Sequence, residues 1–330
     1  RLHGWIGGLT ANYHLQLTGY LLVFLVGYSL ALLGLDFYGD VILERRYHLS
    51  NQTVAGWIVR SIKAWLLSAG LVILSFNLLY ALFRVLPNWW WIAASAGWFI
   101  LLVLMGKIAP AVIVPLFYKL QPLADRALAD RLLALAQRCG VRISQVFEIR
   151  LSKETKKANA AVVGLGSERR IVIGDTLLDL CTHDEIEAVF AHELGHVALR
   201  HGWKLLGVAA AFSVAGFYIL HLFYARSATA LGFEGGSDIA AVPLLMLWLM
   251  VGGLLAKPFQ AALSRRLERQ ADLFIIGKVP SPETLASSLN KLAGRNLADP
   301  EPSRLVELLF YTHPPVAKRI AYLRESARGS

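Results

Sequence analysis

Five uncharged apolar runs, each long enough to cross a bilayer, constrain this chain more than any other feature: 15–35, 64–83, 90–106, 205–224 and 239–256. In hydrocarbon every backbone N–H and C=O must find its partner inside the protein, which leaves helices as the structure for single runs of this length. The composition agrees: of 330 residues, 56% are hydrophobic and 17% charged, and the mean hydropathy is +0.51. Those values belong to a multi-pass membrane protein with one or two polar portions, in contact with a lipid bilayer. The last two runs are separated by a short polar turn, 225–238, and form a transmembrane hairpin. Trp89, Trp90 and Trp91 open the third run, where interfacial aromatic anchors are expected.

The net charge of +10 would also suit a nucleic-acid binder, but no basic, aromatic-interleaved motif accompanies it, so no nucleic-acid partner is expected. If the runs alternate in direction, segments 1–14, 84–89 and 225–238 share one side. They hold Arg1, Arg84 and Arg226, only 3 of the 33 lysines and arginines. The rest lie in 36–63, 107–204 and 257–330, and the short 36–63 loop alone carries Arg45, Arg46, Arg60 and Lys63. That asymmetry places the polar portions in the cytoplasm, at a bacterial inner membrane or a eukaryotic endoplasmic reticulum membrane. Cys139 and Cys181 form no CxxC pair and read as small apolar fillers. From Arg1 onward there is no cleavable signal-peptide pattern.

Between the third and fourth runs the pattern changes to mixed α/β. Leucine and alanine at helical spacing over 123–139, followed by Gly140, predict an amphipathic helix. Segments 146–151, 159–165 and 170–173 are short and β-branched, and predict strands. A second helix starts at a capping box, Thr182 to Glu185, and Gly202 suits its end. Pro258 is expected to kink the chain ahead of a further helix over 260–276, with two or three helices after it. The expected organisation is a three-helix membrane region over 1–106, a sheet-bearing region over 107–204, the hairpin over 205–256, and a helical region over 257–330.

The helix that begins at Thr182 contains His192-Glu193-Leu194-Gly195-His196. Two histidines four apart share one helical face and can hold one zinc ion, and the glutamate beside the first can take a proton from water held there. A catalytic zinc site needs a third protein ligand and an open position. His201 does not fit the pattern HExxHxxGxxH, because position 199 is Leu199 and position 202 is Gly202; it reads as a helix-end residue meeting the helix dipole. Glu268 is the better candidate. Asp272 lies four residues on, so one helical face offers a ligand and a carboxylate to orient a ligating histidine. The competing reading is a solvated acidic pair among Arg265, Arg266 and Arg269.

These residues, with several others in order, resemble the integral-membrane gluzincin peptidases that include type I CaaX prenyl endopeptidases and HtpX-like proteases. The other stations are Glu44 to Thr53, Pro115 to Lys119 leading to Pro122, Asn159-Ala160 before a strand, and His313-Pro314-Pro315 with Arg319. The resemblance implies a mainly α fold, with multi-pass transmembrane helices plus a gluzincin-type α/β portion holding a short sheet and the HExxH helix. It implies one Zn2+ per chain held by His192, His196 and Glu268, with Glu193 as general base and Asp272 behind the ligands. It also implies that Asn159 marks a substrate-binding edge strand, and that His313 and Arg319 face the metal and stabilise an oxyanion. Two departures stand out. Eukaryotic CaaX proteases carry about seven spans by this resemblance, against five runs here, so 1–14 is either the remnant of a further segment or part of a reduced version. The aromatic stretch that follows the asparagine in that family is replaced by Ala161-Val162-Val163.

The expected function is a membrane-embedded zinc endopeptidase acting on membrane-associated or misfolded proteins. Within the same class, the alternative is removal of a C-terminal tripeptide from prenylated proteins. Outside it stand a non-catalytic zinc-binding membrane scaffold, which an intact Glu193 argues against, and a transporter, whose path would need more ionisable residues than His221.

Overall fold

The computed structural model describes residues 2–164 and 169–328. Its principal helices, in chain order, are α1 (Tyr13–Phe37), α2 (Val54–Val85), α3 (Trp90–Ile108), α4 (Arg126–Arg138), α5 (His183–Ala198), α6 (His201–Ala230), α7 (Val242–Phe274), α8 (Pro282–Asn296), α9 (Arg304–Phe310) and α10 (Val316–Arg328). Four strands accompany them: β1 (Leu120–Pro122), β2 (Gln145–Ile149), β3 (Ala160–Val163) and β4 (Arg170–Gly174). The chain forms two compact units, one from 1–46, 52–102 and 208–255, the other from 47–51, 103–207 and 256–330. Leu165, the expected end of one strand, and Arg1, part of the charge asymmetry, lie outside the described residues.

The first unit is built from membrane-length helices. Five helical stretches among the described residues are long and apolar enough to cross a bilayer, and each contains one of the five runs. Two of them begin at polar caps: Asn12 accepts from the backbone N–H of His14 and Leu15, and Thr53 from that of Gly56. Leu17, Leu21, Tyr80, Tyr224, Val242 and Leu245 pack at the centre of the unit. Leu30, Val59, Leu66 and Leu254 point outward and are exposed. Large aliphatic side chains on both faces are what helices solvated by lipid require. Trp90 departs from the expected interfacial anchor. It is buried edge-on against Phe83, with ring centroids 4.6 Å apart, while Trp89 is the exposed member of the trio. Helix phase decides this, since adjacent residues point about 100° apart.

The second unit is a four-stranded sheet, ordered β1-β2-β4-β3, with helices packed on it. β2 and β4 run parallel, while β1 pairs antiparallel with β2 and β3 antiparallel with β4. Leu128, Leu132, Leu135 and Ala136 form the inward stripe of α4, and Ile171 and Ile173 of β4 are fully buried. Ile186, Phe190 and Leu194 of α5 complete this core. β1 was not legible beforehand because it is three residues long and ends in a proline on an edge strand.

Two boundaries also differ from expectation. α7 is one continuous helix of 33 residues through Pro258, so the polar helix predicted beyond it is a continuation of the same helix. A proline removes one N–H, and a long helix with many other bonds can absorb that loss. α5 does not end at Gly202. Its last residue is Ala198, Arg200 takes the left-handed conformation at φ 56°, and Gly202 lies in the first turn of α6.

Candidate metal centre

The helix that carries the HExxH residues is fixed at its start by charge and capping. Thr182 and Glu185 bond each other's backbone N–H, as the sequence predicts. Arg131 on α4 bridges Asp184 and Glu187, and Arg138 holds the other oxygen of Glu187 at 2.8 Å. Gly195 decides how closely α7 approaches. A Cβ there would lie 3.1 Å from Cβ of Phe274, tighter than an ordinary contact. With glycine the two helices close up, and the face of α7 bearing Glu268 and Asp272 meets the face of α5 bearing the histidines.

Two imidazole nitrogens and the two oxygens of one carboxylate converge there. His192 Nε2 is 3.2 Å from His196 Nε2 and 3.3 Å from Glu268 Oε2, and His196 Nε2 is 3.3 Å from Glu268 Oε1. A tetrahedral site with arms of about 2.0–2.1 Å has edges of about 3.3 Å, so these separations fit one small cation. A second observation agrees. Glu268 Oε2 is buried, and although His192 Nε2 stands 3.3 Å away, no donor among the described residues meets it with hydrogen-bond geometry, an arrangement that a cation would relieve. These three are the cluster among the described residues with the donor set of a metal site. The solvated-pair reading of Glu268 and Asp272 does not hold, because both are buried, Asp272 completely.

Asp272 orients the centre from behind. Its Oδ1 is 2.8 Å from His192 Nδ1, so the imidazole presents Nε2 to His196 and Glu268. Arg319 donates through Nε to Oδ2 at 2.8 Å and through Nη2 to Oδ1 at 2.5 Å, and Tyr322 donates its hydroxyl to Oδ2. Nη1 of Arg319 makes no hydrogen bond among the described residues. Burial alone would depress the His192 pKa, but the carboxylates of Asp272 and Glu268 outweigh it and push it up to about 9. A field that strong favours a cation at this point. Glu193, next to His192 and half-buried, is raised above the usual carboxylate range by burial, with Glu268 adding to the rise and His192, His196 and Arg319 opposing it.

His313 reaches the same centre from the loop between α9 and α10, with Nε2 3.4 Å from Glu268 Oε1. Arg265 steadies that loop by donating to the carbonyls of Glu307 and Tyr311. His313 and Arg319 both line a groove of about 300 Å³, together with Asp299, Phe310, Tyr311 and Pro315. Asn159 stands one residue before β3, the outer strand on its side of the sheet. Its carbonyl accepts from Gly174 N–H and its side-chain oxygen from Ala160 N–H, so it fixes the start of that strand. Segment 47–51 clamps the turn just upstream, Lys156 N–H donating to Leu49 and Asn51 N–H to Glu154.

His201 needs correction. It is not a helix-end residue facing the dipole but is buried behind the centre, Nδ1 3.0 Å from His196 Nδ1 and Nε2 3.1 Å from Gln270 Oε1.

Residues 122–327 match peptidase family M48. The chain belongs to that family. Residues 1–119 of this M48 peptidase match a second family description, the CAAX prenyl protease N-terminal region of five membrane helices. It is 30% identical to the metalloprotease YhfN of Bacillus subtilis over 98% of this chain and 76% of the relative. It is 29% identical to CAAX prenyl protease 1 of Saccharomyces cerevisiae, over 88% of this chain and 68% of the relative. Among solved structures it resembles S. mikatae Ste24p, with a TM-score of 0.82 and 26% identity over 94% of this chain and 75% of that one. This M48 peptidase is thus a multi-pass membrane metalloendopeptidase, and membership implies a metal for which His192, His196 and Glu268 supply a fitting donor set.

Proposed function

We propose that this M48 peptidase is a zinc-dependent endopeptidase that cleaves membrane-associated or misfolded proteins at the His192, His196 and Glu268 centre. The single observation that carries the reading is the convergence of the two imidazole Nε2 atoms, 3.2 Å apart, each 3.3 Å from one oxygen of the Glu268 carboxylate, with Glu193 in the same helical turn. His192, His196 and Glu268 would hold the zinc, which would supply Lewis acidity toward a carbonyl and lower the pKa of a water toward about 7. Glu193 takes the water's proton and returns it to the leaving amine, a role that its raised pKa suits. His313 and Arg319, the latter through Nη1, stabilise the negative charge that grows on the carbonyl oxygen. The substrate lies as an added strand on β3, bound by main-chain hydrogen bonds starting near Asn159, so many side chains are tolerated. The polar portions face the cytoplasm, following the distribution of lysine and arginine.

A second reading is favoured by the relatives, several of which are CAAX prenyl proteases. In it the same centre removes a C-terminal tripeptide from prenylated proteins. The deciding experiment uses the purified full chain and its Glu193→Gln variant with two substrates, a farnesylated CaaX peptide and an unfolded membrane protein. Wild type is expected to cleave the second, and Glu193→Gln to lose cleavage at least a hundredfold while keeping one zinc per chain. Full activity in Glu193→Gln would remove the general-base assignment. Cleavage of the farnesylated peptide alone would transfer the proposal to the second reading.

A further inference from the structure

Behind His196 the protein carries a line of polar atoms with one self-consistent direction. Gln270 presents Oε1 to His201 Nε2 at 3.1 Å, and an amide oxygen only accepts, so Nε2 of His201 carries the hydrogen. In a neutral imidazole the other nitrogen is then a lone pair. His201 Nδ1 stands 3.0 Å from His196 Nδ1, which must therefore donate to it. That leaves Nε2 of His196 unprotonated, aimed at His192 Nε2 and Glu268 Oε1. If Gln270 were turned to present its NH2 group, every hydrogen would move to the opposite end, and His196 would offer N–H where a lone pair is required.

The backbone is shaped to make this contact. Arg200 adopts φ 56°, a left-handed conformation that L-residues other than glycine seldom take. The turn it makes ends α5 and folds His201 back against His196, ring centroids 5.0 Å apart and planes crossed at 79°. His201 is 1% exposed, so its ring is out of water's reach and depends on these two partners.

We infer that His201, oriented by Gln270, is a positioning residue that fixes the tautomer and ring plane of His196 for metal binding. This rests on the zinc reading above. His192 is served by a carboxylate, Asp272, and His196 by a neutral imidazole, so the two ligating histidines have unlike supports.

Zinc affinity of the purified full chain in detergent, measured by competition with a chromophoric chelator, tests the inference. His201→Leu removes the acceptor, whereas His201→Asn keeps an oxygen near the place of Nδ1. His201→Leu is expected to bind zinc 10–100-fold more weakly, the loss usual for a partner behind a metal ligand, and His201→Asn within about threefold of wild type. The melting temperature of the metal-free proteins separates this from general damage, and should be alike in the two variants. Should His201→Leu fail to fold, Gln270→Leu and Gln270→Glu on the half-buried side replace the pair, the first weakening zinc and the second keeping it. Wild-type affinity in a folded His201→Leu, or equal affinity in the two Gln270 variants, overturns the inference. No zinc binding by wild type would instead overturn the zinc reading itself.

Discussion

Asp272 Oδ1 lies 2.8 Å from His192 Nδ1, one helical turn along α7 from the Glu268 carboxylate that meets the other nitrogen of the same ring. Both sides of one imidazole are therefore set by a single helix. The same aspartate neutralises the buried Arg319. Asp272→Asn keeps the volume but removes the charge that both neighbours need. Zinc affinity is expected to fall 10–100-fold. Stability is expected to drop by about 3 kcal/mol, because a buried guanidinium is left without a counter-charge. Chelator competition and thermal unfolding of the metal-free protein read the two effects separately.

Glu268→Ala removes the carboxylate shared by His192 and His196. Metal analysis of the purified variant should find almost no bound zinc, and cleavage should vanish with it. Unchanged stoichiometry would take Glu268 out of the ligand set. His313 is the side chain to examine next in that event, since its Nε2 is 3.4 Å from Glu268 Oε1.

The close approach at Gly195 predicts a measurable cost for one added methyl group. Gly195→Ala gains about 1 kcal/mol of helix propensity. It also sets a Cβ 3.1 Å from Phe274 Cβ, an atom tied to the α7 backbone that cannot swing away. Overpacking of that kind costs about 1–3 kcal/mol, so the net change is destabilising by about 1 kcal/mol. Because α7 must back away, zinc affinity should fall with the melting temperature. An alanine variant more stable than wild type would show that α5 and α7 are not in contact at this point.

Much of this was legible in the sequence. The membrane helices could be read because their apolar runs exceed what any soluble helix needs, and α4 because its leucines repeat on one face. His192, Glu193, His196, Glu268 and Asp272 could be singled out as candidates because side chains four apart share a helical face, a spacing that the chain displays directly, and the structure brings His192, His196 and Glu268 together. His201 and Gln270 were not found. Gln270 lies two residues from both Glu268 and Asp272, off their helical face, and His201 approaches His196 only because Arg200 is left-handed, which no residue type there signals. The continuity of α7 through Pro258 was likewise hidden, since a proline expected to kink the chain reads as a boundary between two helices.

The start of α5 gives a pH prediction. Glu185 accepts from Lys291 and Ser287 at 2.7 Å and from Thr182 N–H at 2.8 Å. Burial pushes its pKa up, but these donors outweigh it and hold it below the usual 4.5. A folded-state pKa below the unfolded one means that the ionised form is bound more strongly by the fold. Its stabilisation is therefore complete above about pH 4.5 and is lost as pH falls through the lower folded value. Glu185→Gln is expected to unfold more readily than wild type at pH 7, by about 1–2 kcal/mol for a buried charged acceptor. The gap should close as the pH is taken below about 4. Melting curves of both proteins across that range measure it, and a gap that widened on acidification would reverse the assigned sign.

β3 is the outer strand beside β4, and its far edge is where an extended substrate would pair. Recognition through the main chain makes a demand on the substrate rather than on the enzyme. Replacing a backbone N–H of a cleaved peptide by N–CH3 removes one donor and leaves its side chains unchanged. Each such change on the residues that face β3 should cost about 0.5–1.5 kcal/mol, a two- to twelvefold loss in kcat/KM. Methylation at alternate residues, whose N–H groups point away from the strand, should cost much less. A walk of single N-methyl groups along one peptide, with kcat/KM measured for each, should therefore give a period of two. A flat profile would mean that the substrate is not held as a strand on β3, and that the groove beside His313 and Arg319 carries the binding instead.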